Sequence, residues 1–79
     1  MSDEALPAGG QVVRVTTKSL RRAPKIELFD VAIPDPRSAE RAVSERISAI
    51  DEWIEAVEPL SQSVTDRLGL KPREIRKRP

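Results

Sequence analysis

Acid–base, nucleophilic and metal chemistry near neutral pH is carried most readily by histidine, cysteine and tyrosine, and this chain contains none of them. Its serines therefore have no imidazole to activate them. What remains is carboxylates and amines, whose ordinary pKa values lie far from 7 unless burial or a neighbour moves them. Asp51 and Glu55 are four residues apart, so on a helix they would share one face and form the best available pair of hard oxygen ligands. The same spacing is also that of an ordinary solvated face. A chain of 79 residues has little interior in which to shift a carboxylate. The expectation is a protein that is not an enzyme and holds no cofactor and no metal.

Two other groups of residues suit recognition rather than reaction. Val43, Ile47, Ile50, Ile54 and Val57 recur at intervals of four and three, and Trp53, the sole tryptophan, lies beside them. On one helix these residues form a continuous apolar stripe, with Trp53 as the natural anchor of a protein interface. The second group is basic: Lys71, Arg73, Arg76 and Lys77 crowd the last nine residues. Arg21 and Arg22 add a further basic pair in a turn, a position more often plain surface.

The elements that would carry these groups follow from punctuation and period. Residues 1–10 contain two glycines, a proline and one large aliphatic side chain, which reads as a disordered tail. In residues 11–17 Val13 and Val15 alternate with Val12, Arg14 and Thr16, and in residues 26–33 Phe29, Val31 and Ile33 alternate with Leu28, Asp30 and Ala32. Both runs predict strands, paired as an antiparallel hairpin. Asp35 followed by Pro36 is a cap followed by a residue that needs no amide donor, so a helix begins at Pro36. The apolar stripe carries that helix on to Glu58. Its span of about 34 Å exceeds the roughly 23 Å of a seven-residue strand, so part of the stripe overhangs the hairpin. Pro59 ends or kinks it, and a second helix over 59–68 is closed by Gly69. The expected fold is α+β: a two-stranded antiparallel hairpin, a long amphipathic helix and a shorter C-terminal helix, in one domain over 11–70 with a basic tail at 71–79.

Composition sets the limits on function. Fourteen Lys+Arg against thirteen Asp+Glu give a net charge of +1, which supports no argument from bulk basicity to nucleic acid or an anionic membrane. The charge is uneven, however: residues 25–58 carry four bases and nine acids, and residues 59–79 carry six bases and two acids. Asp51, Glu52, Glu55 and Glu58 would sit at the C-terminal end of the long helix, where the helix dipole disfavours them, so the basic tail is the expected compensation. No stretch is long and apolar enough to span a bilayer, and MSDEALPAGG carries acids where a signal peptide carries lysines, so the expected location is cytoplasmic with no membrane contact. A thin core without disulfides, an overhanging stripe and a second strand face holding Val12, Ile26 and Leu28 point to self-association, most simply as a dimer.

The segment LSQSVTDRLGLKPREIRKR, residues 60–78, resembles the helix-turn-helix family of DNA-binding motifs. In that resemblance Val64 and Leu68 face inward, Gly69 makes the turn, and Pro72 opens a second helix carrying Ile75. The resemblance implies that Lys71, Arg73, Arg76 and Lys77 lie near phosphates or base edges. Thr65 stands where the family usually has a small alanine, and Arg78 where an apolar anchor would pack. The leading expectation is thus a non-catalytic interaction module, an adaptor or accessory subunit that self-associates and meets an unidentified protein partner. A nucleic-acid-binding regulator acting through the basic segment is the alternative. With only hard oxygen ligands present, calorimetry with zinc or copper is expected to show no binding tighter than micromolar.

Overall fold

The computed structural model describes residues 8–18 and 23–79. The first seven residues of the expected tail, and the Arg21–Arg22 turn, lie outside the described residues. Residues 8–10 are not tail but the start of a strand. The elements run β1 (Ala8–Thr17), β2 (Lys25–Val31), α1 (Pro36–Ile47), β3 (Glu52–Ser61), α2 (Gln62–Arg67) and β4 (Ile75–Lys77). All strand pairs are antiparallel, and the sheet order is β3-β1-β2-β4.

The sequence-based expectation of one hairpin with a long helix is therefore corrected to a four-stranded sheet with two short helices. The helical stripe stops at Ile47, and its second half is strand. Asp35 caps α1 as expected, accepting from the Ser38 amide at 2.8 Å. The C-terminal cap is Ser48, left-handed at φ 53°, whose amide returns to the Glu45 carbonyl. No glycine marks this stop, so spacing alone carried the expected helix through it. Beyond it, Ile54 and Ala56 alternate with Trp53 and Glu55, a period of two that is also compatible with the three-and-four spacing of so short a run. What decides between them is β1. It is buried on both faces, at Val12, Val13 and Val15, and only a third strand can satisfy the amides and carbonyls along its second edge. Pro59 is tolerated because β3 is an edge.

The core lies between the sheet and α1. Val13, Val15, Phe29, Val31 and Ile33 meet Ala39 and Val43 of the helix, with Ile47, Ile54 and Ile75 partly buried around them. α2 closes the end where β1 begins and β3 ends, and there Gly9 is a true close approach. A Cβ on Gly9 would fall 2.6 Å from Thr65 Oγ1 and 2.7 Å from the Gln62 Cα. Thr65 is itself buried, its hydroxyl donating to the Gln62 carbonyl at 2.9 Å.

The segment expected to form a recognition helix folds otherwise. Pro72 and Arg73 are the middle residues of a tight turn, with Arg73 at φ 67° and the Glu74 amide donating to the Lys71 carbonyl at 2.9 Å. The Arg73 amide then donates to the Ala32 carbonyl and the Ala32 amide to the Glu74 carbonyl, which steers the chain into β4 alongside β2. The basic tail is thus an edge strand of the sheet.

Two substitutions test this account. Gly9→Ala is expected to destabilise by about 1–3 kcal/mol, because backbone of α2 must move to admit the methyl group. Ser48→Gly is expected to stabilise by about 0.5–1 kcal/mol, because a left-handed non-glycine residue is relieved at a partly offsetting entropic cost. Thermal unfolding of the two variants measures both.

Candidate functional site

The strand registers sort the side chains onto two faces. On the face opposite α1, Thr16 pairs with Trp53 on one side and Ile26 on the other, making one cross-strand row. The next row is Glu55, Arg14 and Leu28, with Arg78 alongside through its amide to the Leu28 carbonyl. A third is Glu58, Val12, Asp30 and Arg76. Helix α1 covers none of these rows. Trp53 is 62% exposed and Ile26 60% exposed, whereas Val12 and Asp30 are buried.

The six residues expected to form one interface stripe are dispersed. Val43 is in the core, and Ile47 and Ile54 pack against it. Ile50 is almost wholly exposed in the loop between α1 and β3, while Trp53 and the half-exposed Val57 project from β3. Of the six, Trp53 alone joins the open face by register. That face was partly legible in Val12, Ile26 and Leu28. The missing signal was the alternation around Trp53, which a helical reading of the same residues concealed.

The four basic residues do not line a helix either. Lys71 and Arg73 lie in the turn before β4. Arg76 donates to the Leu68 carbonyl at 2.6 Å and to Glu74 Oε2 at 2.9 Å. Lys77 pairs with Glu27 on the α1 side of the sheet. Arg78 grips Asp30 through Nε at 2.9 and 3.1 Å. Arg14 pairs with Glu55 at 2.7 Å, and Glu55 also accepts from the Trp53 indole at 3.3 Å. The basic tail therefore compensates Glu27, Asp30 and Glu74, while of the four acids expected as its partners Glu55 is held by Arg14 instead.

These contacts set the charge states. Lys77 beside Glu27 holds that carboxyl below the usual carboxylate range. Arg14 and the Trp53 indole do the same for Glu55. At Glu74 the Lys71 amide is the main cause, with Arg76 second. None of the three is poised to exchange protons near neutrality. Asp51 lies in a loop and Glu55 in a strand, so they no longer share a helix face. Among the described residues no group of three or more acids is placed to hold a metal ion. A depression of about 290 Å³ at the α2 end is bounded by Gly9, Pro34, Thr65, Asp66 and Leu70, and offers no paired acid and base. Among the described residues no helix is long and apolar enough to cross a membrane.

The outer edge of β3 is closed to strand addition. Glu40 of α1 accepts from the Ala56 amide at 2.8 Å, Pro59 has no amide to offer, and the register shifts between Val12 and Val13. No family model, curated protein or solved structure matches this chain. The open sheet face is the feature that the geometry singles out.

Because all three glutamates have depressed pKa values when folded, they add stability that is complete above the ordinary carboxylate range and is lost as pH falls through the depressed values. Thermal midpoints are expected to be level above about pH 5 and to fall on acidification, and Glu74→Gln is expected to make that fall shallower. Unfolding curves collected between neutral and strongly acid pH check both.

Proposed function

We propose that the protein is a small non-catalytic interaction module that docks a protein partner on the sheet face opposite α1. The observation that carries this reading is the Trp53–Thr16–Ile26 row, with its outer two side chains more than half exposed at the end of the face away from α2. Burying such side chains is favourable at about 25 cal/mol per Å² of apolar surface, and a rigid tryptophan loses little conformational freedom in doing so. Leu28 extends the apolar surface toward β4.

An exposed aromatic on a sheet also stacks nucleic-acid bases in some folds, but there it works with unpaired basic groups that track the phosphates. Here Arg14, Arg76, Lys77 and Arg78 each have a carboxylate partner, and phosphate would have to displace it. The charge pattern favours a protein surface.

The test compares capture by the wild-type chain, Trp53→Ala and Ile26→Asp from extract of the native host. Proteins held by the wild type and lost by both variants support the reading. Retention of the same proteins by both variants moves docking off this face and refutes it. Nucleic acid recovered in place of protein, and released in steps as salt rises, refutes the choice of partner.

A further inference from the structure

Resting on that reading, we infer that one occupant of the open face is a second copy of this chain, related by a two-fold axis that runs along the strands. Charge is distributed unevenly across the face. On it the outer strand β3 presents Glu55 and Glu58, and the opposite edge presents Arg76 of β4, paired with Glu74, and Arg78 just past the end of β4. The strands between them carry Val12, Leu28 and Ile26 together with one charge of each sign, Arg14 and Asp30.

Two sheets packed face to face keep their strands nearly aligned, which leaves two simple two-fold arrangements. An axis across the strands lays β3 on β3 and sets acid against acid. An axis along the strands lays β3 of one copy on β4 of the other, so that Glu58 faces the second copy's Arg76 and Glu55 faces its Arg78. The charge pattern selects the second arrangement. Pairing through the β3 edge is already closed by Glu40 and Pro59.

The same rotation has a consequence for Trp53. It carries the indole from the β3 end of its row to the level of the β2–β4 edge of the other copy. There the structure has a depression of about 360 Å³ at the free edge of β2, where Ile26, Leu28 and Pro79 are rimmed by the charged Lys25, Glu27, Lys77 and Arg78. Trp53 of each copy seats in this depression of the other, an aromatic anchor in a pocket at both ends of the interface. Thr16 then lies over the second copy's Ile26, and Arg14 over its Leu28.

The exposed part of the face is three strands wide at the Trp53 row, reaches the β4 edge at Arg78 and is only a few residues long, about 300 Å² at most as a flat patch at ordinary strand spacing. That is well under the roughly 800 Å² per partner of a standard interface, so the dimer is weak, with a dissociation constant of about 10 µM to 1 mM.

Sedimentation equilibrium from about 10 µM to 1 mM brackets that range. The wild-type mass is expected to rise from 8.8 kDa toward twice that value. Trp53→Ala is expected to raise the dissociation constant at least about tenfold without lowering the melting temperature of the dilute monomer, because Trp53 is exposed there. Glu58→Arg and Arg76→Glu are each expected to weaken the dimer, and an equimolar mixture of the two to regain it, since in the mixed dimer both facing pairs are again of opposite sign. Should Arg76→Glu fail to fold, mixed Glu58→Cys and Arg76→Cys chains are expected to form an intermolecular disulfide in a protein that otherwise has no cysteine. A wild-type chain that stays at 8.8 kDa throughout overturns the second copy as occupant while leaving the capture result of the docking face intact. A dimer indifferent to Trp53→Ala, or a mixture that pairs no better than its separate components, overturns the arrangement.

Discussion

β1 has two hydrogen-bonding edges and two faces, and nearly every other element is placed by the need to cover them. Its edges take β2 and β3, through registers that run from Gln11 to Thr17 on one side and from Ala8 to Thr17 on the other. Val13 and Val15 on its first face bring α1 across the sheet. Gly9, at its beginning, admits α2 to a distance no larger residue allows. A central strand of this kind cannot be left half paired, because each buried amide or carbonyl without a partner costs as much as a lost hydrogen bond. β4 is added last, on β2, and is too short to stand without the turn at Lys71–Glu74 that hands it into place.

This dependence explains what the sequence made legible. Signals confined to a few neighbouring residues read correctly: the alternation in β1 and β2, the Asp35–Pro36 start of α1, and Gly69 at φ 71° after α2. Where the deciding contact lay far along the chain, local pattern misled. Residues 52–57 have spacing compatible with helix or strand, and the vacant edge of β1, some forty residues earlier, made them strand. The helix-turn-helix resemblance failed for a similar reason. Pro72 can open a helix or occupy the second position of a turn, and Arg73 in the left-handed region commits it to the turn. Of the candidate site, Val12, Ile26 and Leu28 were readable as an outward apolar face, while Trp53 joined them only once its segment became a strand.

The ion pairs give that face its particular character. A wholly apolar sheet face would demand permanent cover and would aggregate without it. Here Arg14–Glu55 and Arg78–Asp30 interrupt the apolar rows, each pair partly open to water, so the face tolerates solvent when nothing is bound. The exposed Arg14–Glu55 pair adds little to stability, about 0–1 kcal/mol, whereas Asp30 is buried beneath Arg78 and depends on that partner; both pairs fix where long side chains lie. They also engage the two arginines, Arg14 and Arg78, that flank the apolar rows.

On the proposed reading, a face built this way would favour conditional over obligate association. Its apolar contribution is concentrated in Trp53, Ile26 and Leu28, enough to reward contact but spread over too small an area to hold a partner permanently. Most of its charges are paired within the chain, Arg14 with Glu55, Arg78 with Asp30 and Arg76 with Glu74, so a ligand there would have to rearrange ion pairs, and electrostatics would go into orientation more than affinity. The closed β3 edge works in the same direction. Strand addition there would give a continuous sheet and a long-lived assembly, and Glu40 prevents it by holding the Ala56 amide. With the β3 edge hindered in this way and one face filled by α1, the open face and the outer edge of β4 are what the sheet leaves uncovered.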